Sequence, residues 1–411
     1  MKKKVLIFIE DGSYSYDSRV IREATALVEA GWDVTVISPK YSADPFYQKI
    51  SDSLRAYYYP KPTTESLIGH MIEHGISLIL GAFLTFWVFC RHGFSIMHAC
   101  NPMDIVWMIA LPYKVLRRKF IFDHHDLCPE LLLSRGDAKK KGILYNVLLG
   151  LEAASFRVAD VVIATNESYR DVAILRGKKD PGKVFVVRNG PDLDRFRPVP
   201  PGQDPRFDGK VLIGYIGNMN LQDGVDYLVE AARVIVLERR RLDLLFIFIG
   251  GGSNQQKIAS RAIELGLGNS VIFTGRIPEE QMLRTLCACD LCVQPDPLNP
   301  LNDKSTMNKA MEYMALRKPV VAFDLRETRV SCGDAALYAS PNRIADLTAK
   351  ILELVDNPKL RKELGQRGYE RVNKSLAWNH SVPNLLRAYE SALCPARRLV
   401  SGDERRRRAA Q

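Results

Sequence analysis

The stretch that decides the fold is KVLIFIEDGSYSYDSRVIREATALVEAGWDVTVIS, residues 4–38. Residues 4–10 are largely apolar, which is typical of a strand that is buried on both faces. Residues 20–31 repeat apolar side chains at helical spacing and stop at Gly31, a common helix terminator. A second strand is predicted at 33–38. A strand, a helix and a strand in this order predict a βαβ unit, which implies a parallel sheet.

The same alternation runs through two halves of the chain. The first half has further predicted strands at 95–99, 120–123, 161–165 and 184–188. After a proline-rich stretch it restarts, with predicted strands at 211–216, 242–249, 271–274, 291–294 and 319–324. We therefore predict an α/β protein whose two Rossmann-like domains face a cleft. The predicted divisions are a first domain at 1–194, a linker at 195–209, a second domain at 210–375, a helix crossing back to the first domain at 376–395 and a tail at 396–411.

The composition is that of a soluble globular protein, with 46% hydrophobic and 26% charged residues among 411. The formal net charge is +11, to which six arginines in the tail contribute. The tail is predicted to be disordered. An anionic membrane surface suits it better than nucleic acid, and a solvated tail without a partner stays an alternative. Cys287, Cys289 and Cys292 lack the second cluster that a zinc site needs, so reduced thiols are expected.

Two apolar segments bear on localisation. The N-terminal one ends at the acidic Glu10 and Asp11, too early for a signal peptide, so a cytoplasmic protein is expected. Residues 76–90, ISLILGAFLTFWVFC, are about 15 residues long, fewer than the roughly 20 that span a bilayer. A buried or half-buried domain helix is favoured. A helix docked in the membrane interface is the alternative, and would place the protein on the inner face of the cell membrane.

A nucleotide-sugar site is predicted at residues 295–324, PDPLNPLNDKSTMNKAMEYMALRKPVVAFD. They predict a loop, a helix capped by Asp303 or Ser305, and a strand. Free N–H groups and the helix dipole at such a helix start favour phosphate. Glu312, a turn or two later, can accept hydrogen bonds from sugar hydroxyls. Ligands of open α/β sheets bind at the carboxyl ends of strands, so both domains should face this site.

Five motifs in order give the chain a wider resemblance. They are VVRNGPDLDRFRP (186–198), IGYIGNMNLQDGVDYLVEAA (213–232), FIGGGSN (248–254), VIFTGRIPEEQM (271–282) and STMNKAMEYMALRKPVVAFD (305–324). With these motifs the chain resembles the retaining glycosyltransferases of family GT4, which have the GT-B fold, over residues 4–395. The resemblance implies transfer of a sugar from a nucleotide-diphosphate donor to an acceptor hydroxyl, with no bound metal or cofactor. The expected setting is surface polysaccharide or glycolipid assembly.

The resemblance assigns the donor to the second domain, with Glu312 on the ribose and a catalytic role for it. The other expected donor-binding residues are Gly12, Asn218, Gly252, Arg276, Ile277, Ser305, Thr306, Met307, Asn308 and Lys309. Two family features are missing. Lys304 stands where the family helix usually has its first glutamate, and Asn218 and Asp223 replace a basic pair. We hypothesise that Lys309 and the N–H groups of 306–308 stabilise the leaving diphosphate instead.

The acceptor is expected in the first domain, where FDHHDLCPE (122–130) matches the family's His-Asp segment. By that match His125 is the catalytic, sugar-contacting histidine, expected as a neutral imidazole that does not oppose an oxocarbenium charge. The expected acceptor or cleft residues are Asp17, Arg19, Asn101, Asp126, Arg188 and Asn189. Asp17 as a mere helix cap and Arg19 as a paired surface charge stay open. So do a packed His124 and a zinc site made by His124, His125, Asp126 and Glu130.

Other functions stay open at this point. A GT-B sugar-nucleotide epimerase would have the same two halves, and a non-catalytic partner subunit would explain Lys304. An NAD-dependent dehydrogenase is disfavoured, because the first strand leads into Glu10-Asp11-Gly12 and not into GxGxxG. The apolar residues 76–90 and the basic surplus predict a lipid acceptor, such as a polyprenyl-linked glycan. The sugar, the base and the oligomeric state are left open.

Overall fold

A computed structural model describes residues 3–41, 43–62, 67–102, 104–135 and 142–394. It contains two sheets built mainly from parallel strands, with helices packed on both faces of each. The predicted α/β class with two Rossmann-like domains is thereby confirmed. The predicted tail at 396–411 lies outside the described residues.

The first sheet has eight strands in the order β3-β4-β2-β1-β5-β6-β7-β8. Only β3 is antiparallel to its neighbour. The strands are β1 (Lys4–Ile9), β2 (Asp33–Lys40), β3 (Tyr47–Ser51), β4 (Leu54–Pro60), β5 (Ile96–Cys100), β6 (Lys119–His124), β7 (Val161–Ala164) and β8 (Val184–Val186). The hairpin of β3 and β4 was not predicted. Strand β3, YQKIS, is exposed throughout and therefore lacks a buried apolar run.

Six helices accompany this sheet: α1 (Ser18–Glu29), α2 (Leu67–Arg91), α3 (Trp107–Val115), α4 (Cys128–Arg135), α5 (Ile143–Val158) and α6 (Glu167–Asp171). Helix α1 packs on one face of the sheet, and α2, α3 and α5 pack on the other. Helix α2 is longer than the predicted apolar segment. Its residues Ile72–Arg91 have a mean hydropathy of 1.6. By length and composition alone, this segment is long and apolar enough to cross a membrane.

The second sheet has six parallel strands in the order β11-β10-β9-β12-β13-β14. They are β9 (Val211–Ile216), β10 (Leu244–Ile249), β11 (Val271–Gly275), β12 (Leu291–Gln294), β13 (Val320–Phe323) and β14 (Ala336–Ala339). Its helices are α7 (Val225–Arg233), α8 (Gln255–Glu264), α9 (Glu279–Ala288), α10 (Asn308–Ala315), α11 (Arg326–Cys332), α12 (Ile344–Val355) and α13 (Pro358–Arg371). The last helix, α14 (Trp378–Leu393), leaves this domain.

Two segments connect the domains. The chain between β8 and β9 lies against the second domain, where Phe196 is buried and Gly202 N donates to Arg284 O at 2.8 Å. Helix α14 returns to the first domain and buries Leu385 and Tyr389 in the core that it shares with α1. The predicted crossover helix is thereby confirmed.

Candidate functional site

The carboxyl ends of the strands in the two sheets face each other and are joined by hydrogen bonds. Asn166, after β7, and Arg188, after β8, each donate to Thr306 Oγ1 at 3.0 Å. The Tyr169 hydroxyl lies 3.0 Å from Ser305 Oγ. These contacts close the cleft along the β7–β8 edge. The side chains of Ser305 and Thr306, predicted to bind phosphate, therefore connect the domains instead.

The donor helix begins later than predicted. Helix α10 starts at Asn308, and its N-cap Met307 gives no side-chain cap. Asp303 Oδ1 instead accepts from Arg326 N at 3.0 Å, while Ser305 bonds within its own loop and to the first domain. The prediction that Asp303 or Ser305 caps the helix is therefore wrong. Without a side-chain cap, the N–H groups at Met307 and Asn308 remain suited to an anion.

Lys309 is largely buried, with 10% of its side chain exposed, and it is already paired. Its Nζ lies 2.9 Å from Asp296 Oδ1 and 5.1 Å from the centre of the Tyr215 ring. Burial alone would lower the pKa of Lys309, but the Asp296 charge outweighs it and raises that pKa above its ordinary value. The predicted direct role on the leaving group needs correction, because Asp296 compensates the charge. The other predicted cation, Lys304, contacts the first domain.

Two glycine-containing loops form the floor of the donor half. Gly252, after β10, has a φ of +155°, and a Cβ there would lie 2.6 Å from Met219 N in the loop after β9. The two loops therefore stack backbone against backbone, a contact that only glycine permits. Asn218 lies exposed on this floor. After β11, Arg276 is exposed beside the loop after β10. Ile277 is half-buried against a hydrophobic core of the second domain.

Glu312 is half-buried on α10, and its carboxylate makes no hydrogen bond or ion pair with any described residue. Burial raises the pKa of its carboxyl, an effect that the charges of Arg22, Arg195 and Lys309 partly oppose. Arg22 belongs to α1 of the first domain, so both sides of the cleft act on this carboxylate. Such a group can accept two hydrogen bonds from the hydroxyls of a ligand.

His125 follows β6 and is held from two sides. Asn101 Oδ1 accepts from the N–H groups of His125 and Asp126, both at 2.9 Å, and His125 Nδ1 lies 3.3 Å from Asp123 Oδ2. Burial would lower the pKa of His125, but the hydrogen bond and charge of Asp123 and the charge of Asp126 raise it to about 9. The raised pKa favours an imidazolium over the expected neutral imidazole. Asn101 is almost fully buried and positions this turn, so its predicted place in the cleft wall is wrong.

Arg19 is buried in a charged cluster that the sequence did not indicate. Its guanidinium binds both oxygens of Asp123, at 2.8 and 2.9 Å, and lies 3.1 Å from Glu23 Oε1. Burial would raise the pKa of Asp123, but the Arg19 charge outweighs it and keeps that pKa well below its usual range. Arg19 is neither a cleft ligand nor a surface charge. Asp17 caps α1 by accepting from the N–H groups of Arg19 and Val20, which favours its structural interpretation.

Arg22 is the residue near the cleft that sequence reasoning missed. It donates to Gly190 O and to Asn189 Oδ1, and its guanidinium lies 5.3 Å from the Trp378 ring. It therefore ties α1 to the segment after β8 and to the start of α14. Asn189 is engaged in this contact and Arg188 in the bond to Thr306, so both predicted cleft residues lie at the junction of the domains.

The remaining predicted positions are more open. Gly12, after β1, has a φ of +85°, and a Cβ there would meet no atom within 4 Å. Asp126 is half-exposed, with Oδ2 3.9 Å from His125 Nε2. Both lie at the carboxyl edge of the first sheet, where an acceptor would approach.

The structure separates the four residues of the alternative zinc site. His124 is buried, with Nε2 3.2 Å from Glu152 Oε1, whereas His125 turns to Asp123. A different set, Glu23, His98, Cys100 and Asp123, has potential ligand atoms within 4.8 Å of one another. Arg19 already supplies the positive charge there, which disfavours a metal. Cys289 and Cys292 are buried free thiols in the second core.

Comparison with known families covers most of the chain. Residues 18–195 match the family described as Glycosyltransferase Family 4, and residues 210–357 match Glycosyl transferases group 1. The α-maltose-1-phosphate synthase of Mycolicibacterium smegmatis is 27% identical over an alignment of 275 positions, which covers 61% of this chain and 68% of that protein. The D-inositol 3-phosphate glycosyltransferase of Thermomonospora curvata is 28% identical over 63% of this chain and 62% of its own length. The match thus spans about two thirds of these relatives.

Solved structures extend the likeness to the whole fold. A sucrose-phosphate synthase from Thermosynechococcus elongatus has a TM-score of 0.76 at 20% identity, covering 95% of this chain and 98% of its own. HepE of Anabaena, solved with UDP-glucose, has a TM-score of 0.68 at 14% identity, with coverages of 94% and 99%. WaaG, a glycosyltransferase involved in lipopolysaccharide biosynthesis, has a TM-score of 0.68 at 14% identity, with coverages of 95% and 100%. The chain belongs to the family 4 glycosyltransferases and has the GT-B fold.

Proposed function

We propose that this glycosyltransferase moves a sugar from a nucleoside-diphosphate donor to an acceptor hydroxyl with retention of configuration and without a bound metal or cofactor. The observation that carries the proposal is the Glu312 carboxylate, which is half-buried, faces both domains and has no partner among the described residues. Ribose hydroxyls would supply the missing hydrogen bonds. A UDP-sugar is the first donor to test, because HepE was solved with UDP-glucose.

Backbone groups would hold the diphosphate. The uncapped start of α10 at Met307 and Asn308 offers N–H groups, and the stacked loops around Asn218 and Gly252 let a phosphate approach the main chain closely. Lys309 then has an indirect role. Together with Asp296 it fixes the loop after β12 against α10, and the backbone dipoles held there would stabilise the charge that grows on the leaving group.

His125 would act on the transferred sugar as an imidazolium. Its Nδ1–H would donate to Asp123, whose negative charge balances the ring, and its Nε2–H, which lies 3.9 Å from Asp126 Oδ2, would donate to a sugar hydroxyl. The leaving phosphate would take the proton from the acceptor hydroxyl on the same face of the sugar, which gives retention. Closure of the cleft would exclude water and so limit hydrolysis.

The acceptor is proposed to be a growing surface polysaccharide or glycolipid, including polyprenyl-linked glycans. Support comes from WaaG, a structural neighbour involved in lipopolysaccharide biosynthesis, and from the apolar helix α2 in the domain opposite the donor.

Thermal-shift screening against UDP-, GDP-, ADP- and TDP-sugars tests the donor class, because a ligand that binds only the folded protein raises its unfolding midpoint. We expect sugars linked to one of the four nucleotides to raise the unfolding midpoint of the wild type. The same ligands should leave the midpoint of Glu312→Gln nearly unchanged. Product analysis with and without EDTA follows, using lipid-linked glycan acceptors. A released epimer would favour the epimerase, and donor binding without any chemistry would favour a non-catalytic subunit.

A further inference from the structure

The helix layer formed by α2, α3 and α5 has an apolar outer surface. The three helices cover the same face of the first sheet, since Val88, Ile109 and Phe156 belong to one core and α3 contacts both of its neighbours. Their outer sides expose large apolar side chains. We call this surface the apolar face; it is represented by Ile79, Phe83, Phe86, Leu111, Val115 and Ile143.

Helix α2 lies along the sheet and does not project from it. Ser77, Thr85 and Val88 are fully buried on its inner side, and a Cβ at Gly81 would lie 2.5 Å from the Phe8 ring. Crossing a bilayer would require this inner side to leave the protein core. The outer side is different, because Ile79 is 70% and Phe83 is 69% exposed. Isolated exposed apolar residues are ordinary, but large apolar side chains exposed on three adjacent helices indicate an interaction surface.

Among the described side chains of α2, α3 and α5, the exposed charged ones are basic. The acidic residues of α2, α3 and α5 are Glu73 and Glu152, and both are buried. Arg91 at the end of α2, Arg117 after α3 and Arg157 in α5 are exposed. Apolar side chains bordered by arginines complement an anionic lipid surface. The three arginines lie at or just beyond the carboxyl-terminal ends of their helices and so form a basic edge of the apolar face.

We propose that the apolar face docks onto an anionic lipid bilayer. Phe83, Phe86, Val115 and Ile143 would enter the boundary between headgroups and acyl chains, and the arginines would contact lipid phosphates. The protein would then be a peripheral membrane protein on the cytoplasmic side. Docking does not depend on the proposed sugar transfer, although it would bring a lipid-linked acceptor to the cleft.

Flotation of the full chain with vesicles separates the contribution of the apolar side chains to lipid binding from that of the arginines. We expect wild type to float with vesicles that contain phosphatidylglycerol and much less with pure phosphatidylcholine. The variant Phe83→Ser/Phe86→Ser/Val115→Ser should stay unbound. The variant Arg91→Glu/Arg117→Glu/Arg157→Glu should bind at least about a hundred-fold more weakly, at roughly five-fold per arginine. Ile263→Ser/Leu242→Ser, which removes exposed apolar residues of the second domain, and Arg239→Glu should bind like wild type.

Two exposed cysteines provide a direct readout. Cys90 lies at the end of α2 on the same helical side as Phe83 and Phe86, whereas Cys394 follows α14 on the opposite side of the first sheet. A polarity-sensitive fluorophore should shift to the blue with anionic vesicles when attached to Cys90 in Cys394→Ser, but not when attached to Cys394 in Cys90→Ser. Equal responses, or no flotation of folded wild type, would overturn the proposal. So would a wild-type dimer that ignores vesicles and that the serine variant dissociates.

Discussion

Lys304 Nζ lies 3.0 Å from Glu130 Oε1 and joins the loop before the donor helix to the first domain. Glu130 is nearly buried and also binds Arg176, at 2.7 Å, so two cations share one carboxylate. The glutamate that the resemblance leads one to expect at position 304 would bring a second negative charge to this point. Lys304 therefore has a structural role in the contact between the domains, and the non-catalytic interpretation is not needed to explain it.

Reversing the charge at Lys304 should weaken that contact. In Lys304→Glu a carboxylate would face Glu130, and we expect a loss of about 1–2 kcal/mol after allowance for solvent screening. Lys304→Gln should lower the free energy of unfolding by about half a kcal/mol, and Lys304→Arg should retain wild-type stability. Thermal unfolding measures the loss, and X-ray scattering should detect a larger radius of gyration. An unchanged Lys304→Glu protein would show that the pair is not formed in solution.

Glu312→Gln should separate binding from stability. Loss of hydrogen bonds to a charged acceptor should weaken donor binding by about 10- to 100-fold. Because burial raises the folded-state pKa of Glu312, its contribution to stability is largest below the unfolded pKa and is lost as pH rises through the folded value. The variant should therefore be at least as stable as wild type at neutral pH. Calorimetric titration and thermal unfolding test the two parts, and a variant that binds normally would exclude Glu312 as the ribose ligand.

The protonation of His125 should appear in pH profiles. Its pKa is raised to about 9, so its contribution to stability is complete below the ordinary histidine pKa of about 6.5 and disappears as pH rises through about 9. Transfer activity should fall over the same upper range. NMR titration of the imidazole signals measures the pKa, with His125→Asn assigning the resonance and the exposed His380→Asn as the control. A midpoint near 6.5 would favour the neutral imidazole.

Gly252→Ala should damage the donor floor. The residue has a φ of +155°, and the added Cβ would meet Met219 N at 2.6 Å. We expect a stability loss of about 2–4 kcal/mol and weaker donor binding, because the stacked loops must separate. Gly268→Ala is the matched control, since its Cβ would meet no atom within 4 Å and its φ is not in the left-handed region. Equal behaviour of the two variants would contradict the proposed stacking.

Much of the fold was predictable from local sequence, because buried parallel strands such as KVLIFI are continuous apolar runs. The β3–β4 hairpin was missed because the exposed YQKIS lacks that pattern. In the site, Glu312 and His125 were found through family motifs. The neighbours that set their charge states were not found. Asp123 is an example. Its charge is balanced by Arg19 because α1 packs beside β6, and the two residues are 104 positions apart in the chain.

The sequence by itself determined the succession of strands and helices, the two parallel sheets and the positions of the motifs, since these depend on periodicity and local backbone preference. Only the tertiary structure decided which charged side chains are paired with an opposite charge. Lys309 is paired with Asp296, Arg19 with Asp123 and Lys304 with Glu130, while Glu312 is left without a partner among the described residues. The reason is physical. A buried charge needs a counter-charge within a few ångströms, and folding selects that neighbour from segments far apart in the chain.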